Sequence, residues 1–230
     1  MVDFSRIEAI LFDAGQTFFY PDFPFLKNLL AEYGVATDIL PLQKGAALAR
    51  ERTFRHREKE NWKDYLTFWM QYVSAPEAAI PEILTRILER HKREHLWSWP
   101  DPTAAEVFAK LKNLGYRLGV ISNSDGSIAS SMQKFGFAPF FDCMIDSHVV
   151  GVEKPDPRIF ELALQQLGLP AERCVYVGDN YDRDVIGARR AGLVPILIDP
   201  FDVVVEQDVA RIKQLSDLVA IFSAEKRADE

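Results

Sequence analysis

The sequence predicts an α/β protein: a parallel sheet with helices on both faces, and a wholly helical segment inserted after the first strand. Three observations carry that expectation. Ile10-Leu11-Phe12 is short, apolar and closed by Asp13 and small residues, the pattern of a buried strand ending at a turn. From about residue 22 to 97 the apolar residues recur at helical spacing, with no strand-like run among them. After Pro100-Asp101-Pro102 the chain alternates helix-period segments with short apolar runs, as parallel sheets with crossover helices require.

Taken in order, the first strand covers about residues 7–12. In the insertion, Phe25, Leu26, Leu29, Leu30 and Tyr33 share a helical face, and Gly34 stands where a C-cap closes it. A further helix runs through Trp62, Tyr65, Leu66, Trp69, Met70 and Val73, and another through Ile80, Ile83, Leu84, Ile87, Leu88 and His91. The periodicity of the whole segment allows roughly three to five helices. Trp97 and Trp99 are expected to pack the junction that follows. Helices at about 103–113, 126–135, 157–167 and 182–190 then alternate with strands at about 117–121, 143–145, 174–177 and 195–198. The expected architecture is Rossmann-like, with residues 1–19 and 98–230 forming the sheet domain and 20–97 the helical one. The charged tail from about residue 223 is expected to fray.

Hydrophobic residues make up 48% of the 230, including 16 Phe, so the chain can build a substantial core and is not a disordered polymer. A formal net charge of −7 argues against nucleic acid as the main partner. It leaves a small phosphorylated substrate open, because a metal ion and one lysine reverse the field locally. Two cysteines, Cys143 and Cys174, do not make a disulfide framework, and Cys174 in its apolar run reads as a buried thiol. Residues Met1 to Arg6 lack the basic-then-apolar layout of a signal peptide. No apolar run nears the roughly 20 residues of a membrane span. A cytoplasmic protein acting away from membranes is the expectation.

The chemistry-bearing residues follow directly on predicted strands, and in parallel sheets ligands sit beyond the carboxyl ends of strands. Asp13 ends the first one. A carboxylate there is costly to desolvate unless something uses it, and aspartate can act as a covalent nucleophile; its plain alternative is a turn-capping acid. Gly15 is expected to let the backbone turn sharply, so that the Thr17 hydroxyl can donate to an anion, or simply cap a turn. Ser122 and Asn123 offer a hydroxyl and an amide where the next helix begins, a place that favours anions, although Ser-Asn-Ser-Asp-Gly is also common turn composition. Lys154, before Pro155-Asp156-Pro157, can be aimed by its proline turn to neutralise phosphate and restrain Asp13; otherwise it is a solvated surface lysine. Gly178-Asp179-Asn180-Tyr181-Asp182-Arg183-Asp184 places three acids in one short loop. Asp179 and Asp184 suit magnesium, which takes oxygen ligands, whereas Asp182 is assigned to solvent; acids at a helix start are also favoured by the dipole alone.

In this arrangement the chain resembles the haloacid dehalogenase-like hydrolases, in the subgroup with a helical cap inserted after the first motif, from about Ile7 to Phe222. Asp13 and Thr17 match the first motif, Asp-x-Asp-x-Thr; Ser122 matches the second, Lys154 the third, and Asp179 with Asp184 the fourth. The resemblance implies catalysis by Asp13 and Lys154. It implies Mg2+ held by Asp13, the Gly15 main-chain carbonyl, Asp179 and Asp184, and a phosphoryl group bound by Thr17 and Ser122, to which the residue reading adds Asn123.

One position departs from the pattern. Family phosphatases carry a second acid that protonates the leaving oxygen and later activates water; here it is Gly15. General acid–base assistance contributes about 10²–10⁴-fold, and its loss weighs most on poor leaving groups such as alkyl alcohols. Gln16 cannot titrate; Tyr20, His56 and Glu58 are the candidates to replace the acid. Arg50, Arg52, Arg55 and Arg57 either bind an anionic substrate tail or, as their spacing with Glu51 and Glu58 favours, line a solvent-facing helix. The leading reading is a phosphatase of a small phosphorylated metabolite. Against it stand a dehalogenase, which needs no metal, a phosphonatase, which needs a cap lysine from among Lys27, Lys44, Lys59 and Lys63, and a catalytically weak binding protein.

Overall fold

β1 (Ala9–Phe12) is buried along its whole length, because both of its faces are covered. Ala9 and Leu11 face one helical layer while Phe12 meets the opposite one, the two-residue period of a central parallel strand. The computed structural model describes residues 4–55 and 61–228. Its main sheet has six parallel strands: β1, β4 (Arg117–Ser122), β5 (Cys143–Asp146), β6 (Cys174–Gly178), β7 (Val194–Ile198) and β8 (Ala210–Ile212). Their order is β5-β4-β1-β6-β7-β8. Phe19–Tyr20 (β2) and Trp99–Pro100 (β3) pair separately as a two-stranded ribbon.

β8 is a strand that sequence patterning does not reveal. It is three residues long, and only Ile212 is buried, so it carries no period-two signal. The other five strands lie where the apolar runs place them. One face of the sheet is covered by α8 (Pro157–Leu167) and α9 (Ile186–Arg190), through Ile159, Phe160, Ala163, Leu167 and Ala188. The opposite face holds α5 (Ala104–Asn113), whose Phe108 ring stands edge-on to Phe12 at 5.5 Å. α10 (Asp217–Ala228) packs on α5, and its Phe222 meets Tyr116 at 5.0 Å. The expected frayed tail is therefore helical as far as Ala228.

Register sets where the chemistry sits. Phe12 pairs with Val120 on one side and Val177 on the other, and Ser122 pairs with Asp146. The carboxyl ends of β1, β4, β5 and β6 thus share one edge. The chain leaves β1 for β4 and β5 on one flank and returns to β6 on the other, so Asp13 stands where the strand order reverses.

The chain divides into two compact units: Met1–Phe19, Pro100–Pro200 and Val205–Glu230 in one, Tyr20–Trp99 with Phe201–Val204 in the other. The second contains α1 (Phe23–Glu32), α2 (Ile39–Phe54), α3 (Trp62–Tyr72) and α4 (Ile80–Arg93). Asp22 caps α1 by accepting from the Phe25 N–H at 3.0 Å, and Gly34 takes the left-handed conformation just past its end. The core joins Leu26, Leu30, Leu42, Tyr65, Trp69, Ile83 and Ile87, and the Trp69 indole donates to the Leu42 carbonyl at 2.9 Å. Trp97 and Trp99 pack against this cluster, Trp97 on Trp62 and Trp99 on Phe23.

The arginine-rich stretch is not a solvated helix face. Arg50 is buried and only 11% of the Arg55 side chain is exposed. Arg52 alone of the described three is exposed, with its guanidinium over the Phe68 ring. Their spacing looked amphipathic in charge, but the long aliphatic stems of arginine pack readily against apolar neighbours. Arg57, and with it His56, Glu58 and Lys59, lies outside the described residues. Lys27, Lys44 and Lys63 are exposed, and Lys27 is paired with Asp38 at 2.7 Å. Cys143 and Cys174 are free and buried, and burial pushes both thiols up to about 12.

Candidate active site

Asp13 follows β1 directly, and its N–H continues the ladder by donating to the Val177 carbonyl at 2.8 Å. The carboxylate is therefore held at the sheet edge by the strand itself. The turn after it differs from expectation in one respect: the left-handed residue is Gln16, with φ 56°, and not Gly15. Gln16 closes the turn by donating its N–H to the Phe19 carbonyl at 2.7 Å. Thr17 is fully buried and Gly15 half-buried.

Lys154 comes from the segment between α7 (Ser147–Val150) and α8, before a cis peptide to Pro155. Asp156 caps α8 through the Arg158 N–H at 3.0 Å, which anchors the segment's far end. The Lys154 ammonium, 96% buried with its residue, donates to Asp13 Oδ1 at 2.5 Å, Asp184 Oδ1 at 2.8 Å and the Tyr176 hydroxyl at 2.7 Å. Asp179 completes the group: one carboxylate oxygen from each of Asp13, Asp179 and Asp184 lies within 4.8 Å of the others. Asp13, Lys154, Asp179 and Asp184, from three separate segments, thus converge beyond the strand ends.

Asp184 reaches this place through an irregular turn. Tyr181–Val185 forms a π-helical turn before α9, where the sequence predicts an ordinary helix from about 182. The wide turn lets the Asp184 carboxylate fold back and accept from the Asn180 N–H at 2.9 Å. Gly178 is required for this: a Cβ there would stand 2.4 Å from the Asp184 carboxyl carbon. Gly178→Ala is accordingly expected to displace Asp184 and weaken divalent-cation binding by about 10–100-fold, measurable by titration calorimetry. Unchanged affinity would show that Asp184 is not needed as a ligand. Asp182 is half-buried.

Ser122 is buried at the end of β4. The Asn123 side chain is engaged with the main chain of Lys154. Its Oδ1 accepts the Lys154 main-chain N–H at 2.8 Å, and its Nδ2 donates to the Lys154 carbonyl at 3.0 Å. The loop beyond is shaped by Asp146, whose carboxylate accepts from the N–H groups of Gly126, Ile128 and His148. Neither Asp146 nor Tyr176 is singled out by sequence reasoning. The only signal for Tyr176 is a phenol inside an otherwise aliphatic strand, whose hydroxyl must find a partner once buried.

Burial pushes Asp13 up to about 6, against the Lys154 charge, which pulls it down, and with Asp184, which raises it further. Burial alone would lower the Lys154 ammonium, but Asp13 and Asp184 outweigh it and hold it above the usual lysine range. Arg183 is lowered by burial, with the Asp184 and Asp13 charges opposing the shift. The donor set offered by the triad is carboxylate oxygen only, the hard chemistry that Mg2+ or Ca2+ takes. Three buried carboxylates, Asp13, Asp179 and Asp184, are gathered beside the Lys154 ammonium, which carries a single positive charge. A divalent cation fits that imbalance.

The family profile described as haloacid dehalogenase-like hydrolase matches residues 7–192. The chain is 29% identical over 233 residues to the glyceraldehyde 3-phosphate phosphatase of Methanothermobacter thermautotrophicus, covering 91% of this chain and 99% of that protein. It is 29% identical over 231 residues to the phosphoserine phosphatase of Thermus thermophilus, covering 96% and 83%. In fold it is similar to a HAD phosphatase from Thermococcus onnurineus, with a TM-score of 0.62, 23% identity, and coverage of 96% and 100%.

Proposed function

The chain belongs to the haloacid dehalogenase-like hydrolase family, and from that premise we propose a magnesium-dependent phosphatase acting on a small phosphorylated metabolite. The observation that carries the reading is the buried contact of Lys154 with both Asp13 and Asp184, beside Asp179. In this proposal residues 1–19 and 98–230 form the catalytic domain and 20–97 the helical cap that selects the substrate. The two similar phosphatases, named for glyceraldehyde 3-phosphate and phosphoserine, support a small phosphorylated substrate.

The ionised Asp13 attacks phosphorus. An oxygen–phosphorus bond forms, the bond to the leaving oxygen breaks, and the electron pair departs with the leaving group. Lys154 keeps the attacking carboxylate ionised and fixed in direction, while Thr17 and Ser122 present hydroxyls to the transferring group. Asn123 serves through Lys154, since both ends of its amide hold that residue's main chain. Water then hydrolyses the aspartyl phosphate. Asp13, Asp179, Asp184 and the Gly15 carbonyl would hold Mg2+, whose charge would neutralise the phosphoryl oxygens. A cytoplasmic setting belongs to the same proposal; among the described residues no helix is long and apolar enough to cross a membrane.

Turnover of p-nitrophenyl phosphate with and without Mg2+ tests the reading, followed by a panel of phosphorylated metabolites. Gly15 favours one competitor, a fold that binds but does not turn over. Mg2+ binding without any hydrolysis would establish that competitor. Dehalogenation is disfavoured by the retained acidic triad.

The raised Asp13 pKa gives a signed pH prediction. The folded state holds this proton more tightly than the unfolded chain, whose value is 3.8, so the group's contribution to stability falls as pH rises from there to about 6 and is then constant. A metal ion competes with the same proton. The Mg2+-induced increase in Tm is therefore expected to grow as pH climbs through about 6 and to level off above it. Thermal scans at several pH values check this; an increase that is flat across the window would remove Asp13 from the ligand set.

A further inference from the structure

We propose that Tyr176 is a positioning residue, whose hydroxyl fixes the Lys154 ammonium beside Asp13. Its kinetic consequence rests on the phosphatase reading; its geometric one does not. An ammonium has three N–H donors and no acceptor. At Lys154 all three are occupied, by Asp13, Asp184 and Tyr176. Tyr176 can accept the third only because its own proton goes elsewhere, to the Ile121 carbonyl at 2.9 Å. That donation orients the phenol oxygen, so its lone pairs face the lysine.

The ring is as constrained as the hydroxyl. Tyr176 is fully buried in β6, with Phe160 of α8 edge-on at 5.0 Å. The chain is therefore fixed at Lys154 from two sides. Asn123 holds its main chain, which leaves four side-chain torsions free, and Tyr176 holds its head. With every N–H engaged inside the protein, Lys154 works on Asp13 and does not depend on the substrate for its place. Remove the phenol oxygen and the third N–H is buried without an acceptor, which drives the ammonium to turn toward a new one and away from Asp13.

Tyr176→Phe in the full chain tests this. With p-nitrophenyl phosphate and Mg2+, kcat is expected to fall by about 10-fold while KM stays within about twofold, since a small misplacement of a reacting group costs rate more than binding. Phe160→Leu loosens the same ring without touching the hydroxyl; it is expected to lower Tm and leave kcat within about twofold of wild type. An unchanged kcat in Tyr176→Phe, a change confined to KM, or an equal kcat loss in Phe160→Leu would overturn the proposal. A crystal structure of Tyr176→Phe decides it independently of activity. Displacement of the Lys154 nitrogen from Asp13 by about 1 Å supports it, and an unmoved ammonium sinks it. A wild type that hydrolyses nothing would overturn the phosphatase reading alone, and the position of that nitrogen would still settle the role of Tyr176.

Discussion

Asp13→Asn is expected to reduce turnover of p-nitrophenyl phosphate by at least about 10³-fold, because an amide cannot act as the nucleophile and no parallel route to the aspartyl intermediate remains. The substitution keeps the shape of the side chain and its hydrogen-bonding capacity toward Lys154. It also removes one of three clustered carboxylates, the one that burial already holds at about 6. The variant should therefore unfold at the same temperature as wild type or a higher one when no metal is present. That pairing of lost activity with retained stability separates a chemical role from a structural one. Activity within tenfold of wild type in a folded Asp13→Asn protein would place the nucleophile elsewhere. Lys154→Ala does not give so clean a result, since it leaves two buried acids facing each other without their ammonium.

The same electrostatics explain what sequence reading could and could not see. Strands such as Ile10-Leu11-Phe12 and Val175-Tyr176-Val177 are legible because a strand covered on both faces must be apolar throughout. Asp13 and Asp179 are legible because carboxylates adjoining such runs are costly unless something meets them, whereas Lys154, beyond α7, and Asp184, in the π-turn, are legible from the proline turn and the acidic loop that carry them. β8 is hidden because a short edge strand needs little apolar surface. The π-turn at Tyr181–Val185 is hidden because what drives it is the reach of one carboxylate, not a periodicity. Asp146, and the partners of Asn123, hide for a related reason: those partners are main-chain atoms, which every residue carries, so composition cannot announce them. Buried Arg50 of α2 shows the converse error, in which charge at helical spacing stands for a solvated face when the aliphatic stem decides burial.

Gly15 is where sequence and structure bear on substrate chemistry together. From the sequence Gly15 is expected to let the chain turn sharply; the left-handed position of that turn is Gln16. No left-handed backbone conformation at position 15 calls for glycine there. With glycine in place of the acid, no carboxyl at that position protonates the departing oxygen. On the proposed mechanism, substrates whose leaving group is stable as an anion, such as a phenolate, are affected little, whereas alkyl phosphates bear the full cost. Gly15→Asp is therefore expected to raise kcat/KM for an alkyl phosphate such as glycerol phosphate by about 10²-fold, and to change p-nitrophenyl phosphate much less, in keeping with the general range for proton-transfer assistance. The ratio of the two substrates is the informative quantity, because it cancels any change in metal affinity or in the fraction of folded protein. A folded Gly15→Asp protein with an unaltered ratio would mean that another group already supplies the proton. In that case the acid would have to be sought beyond the first-motif turn, with Tyr20, His56 and Glu58 the next side chains to replace.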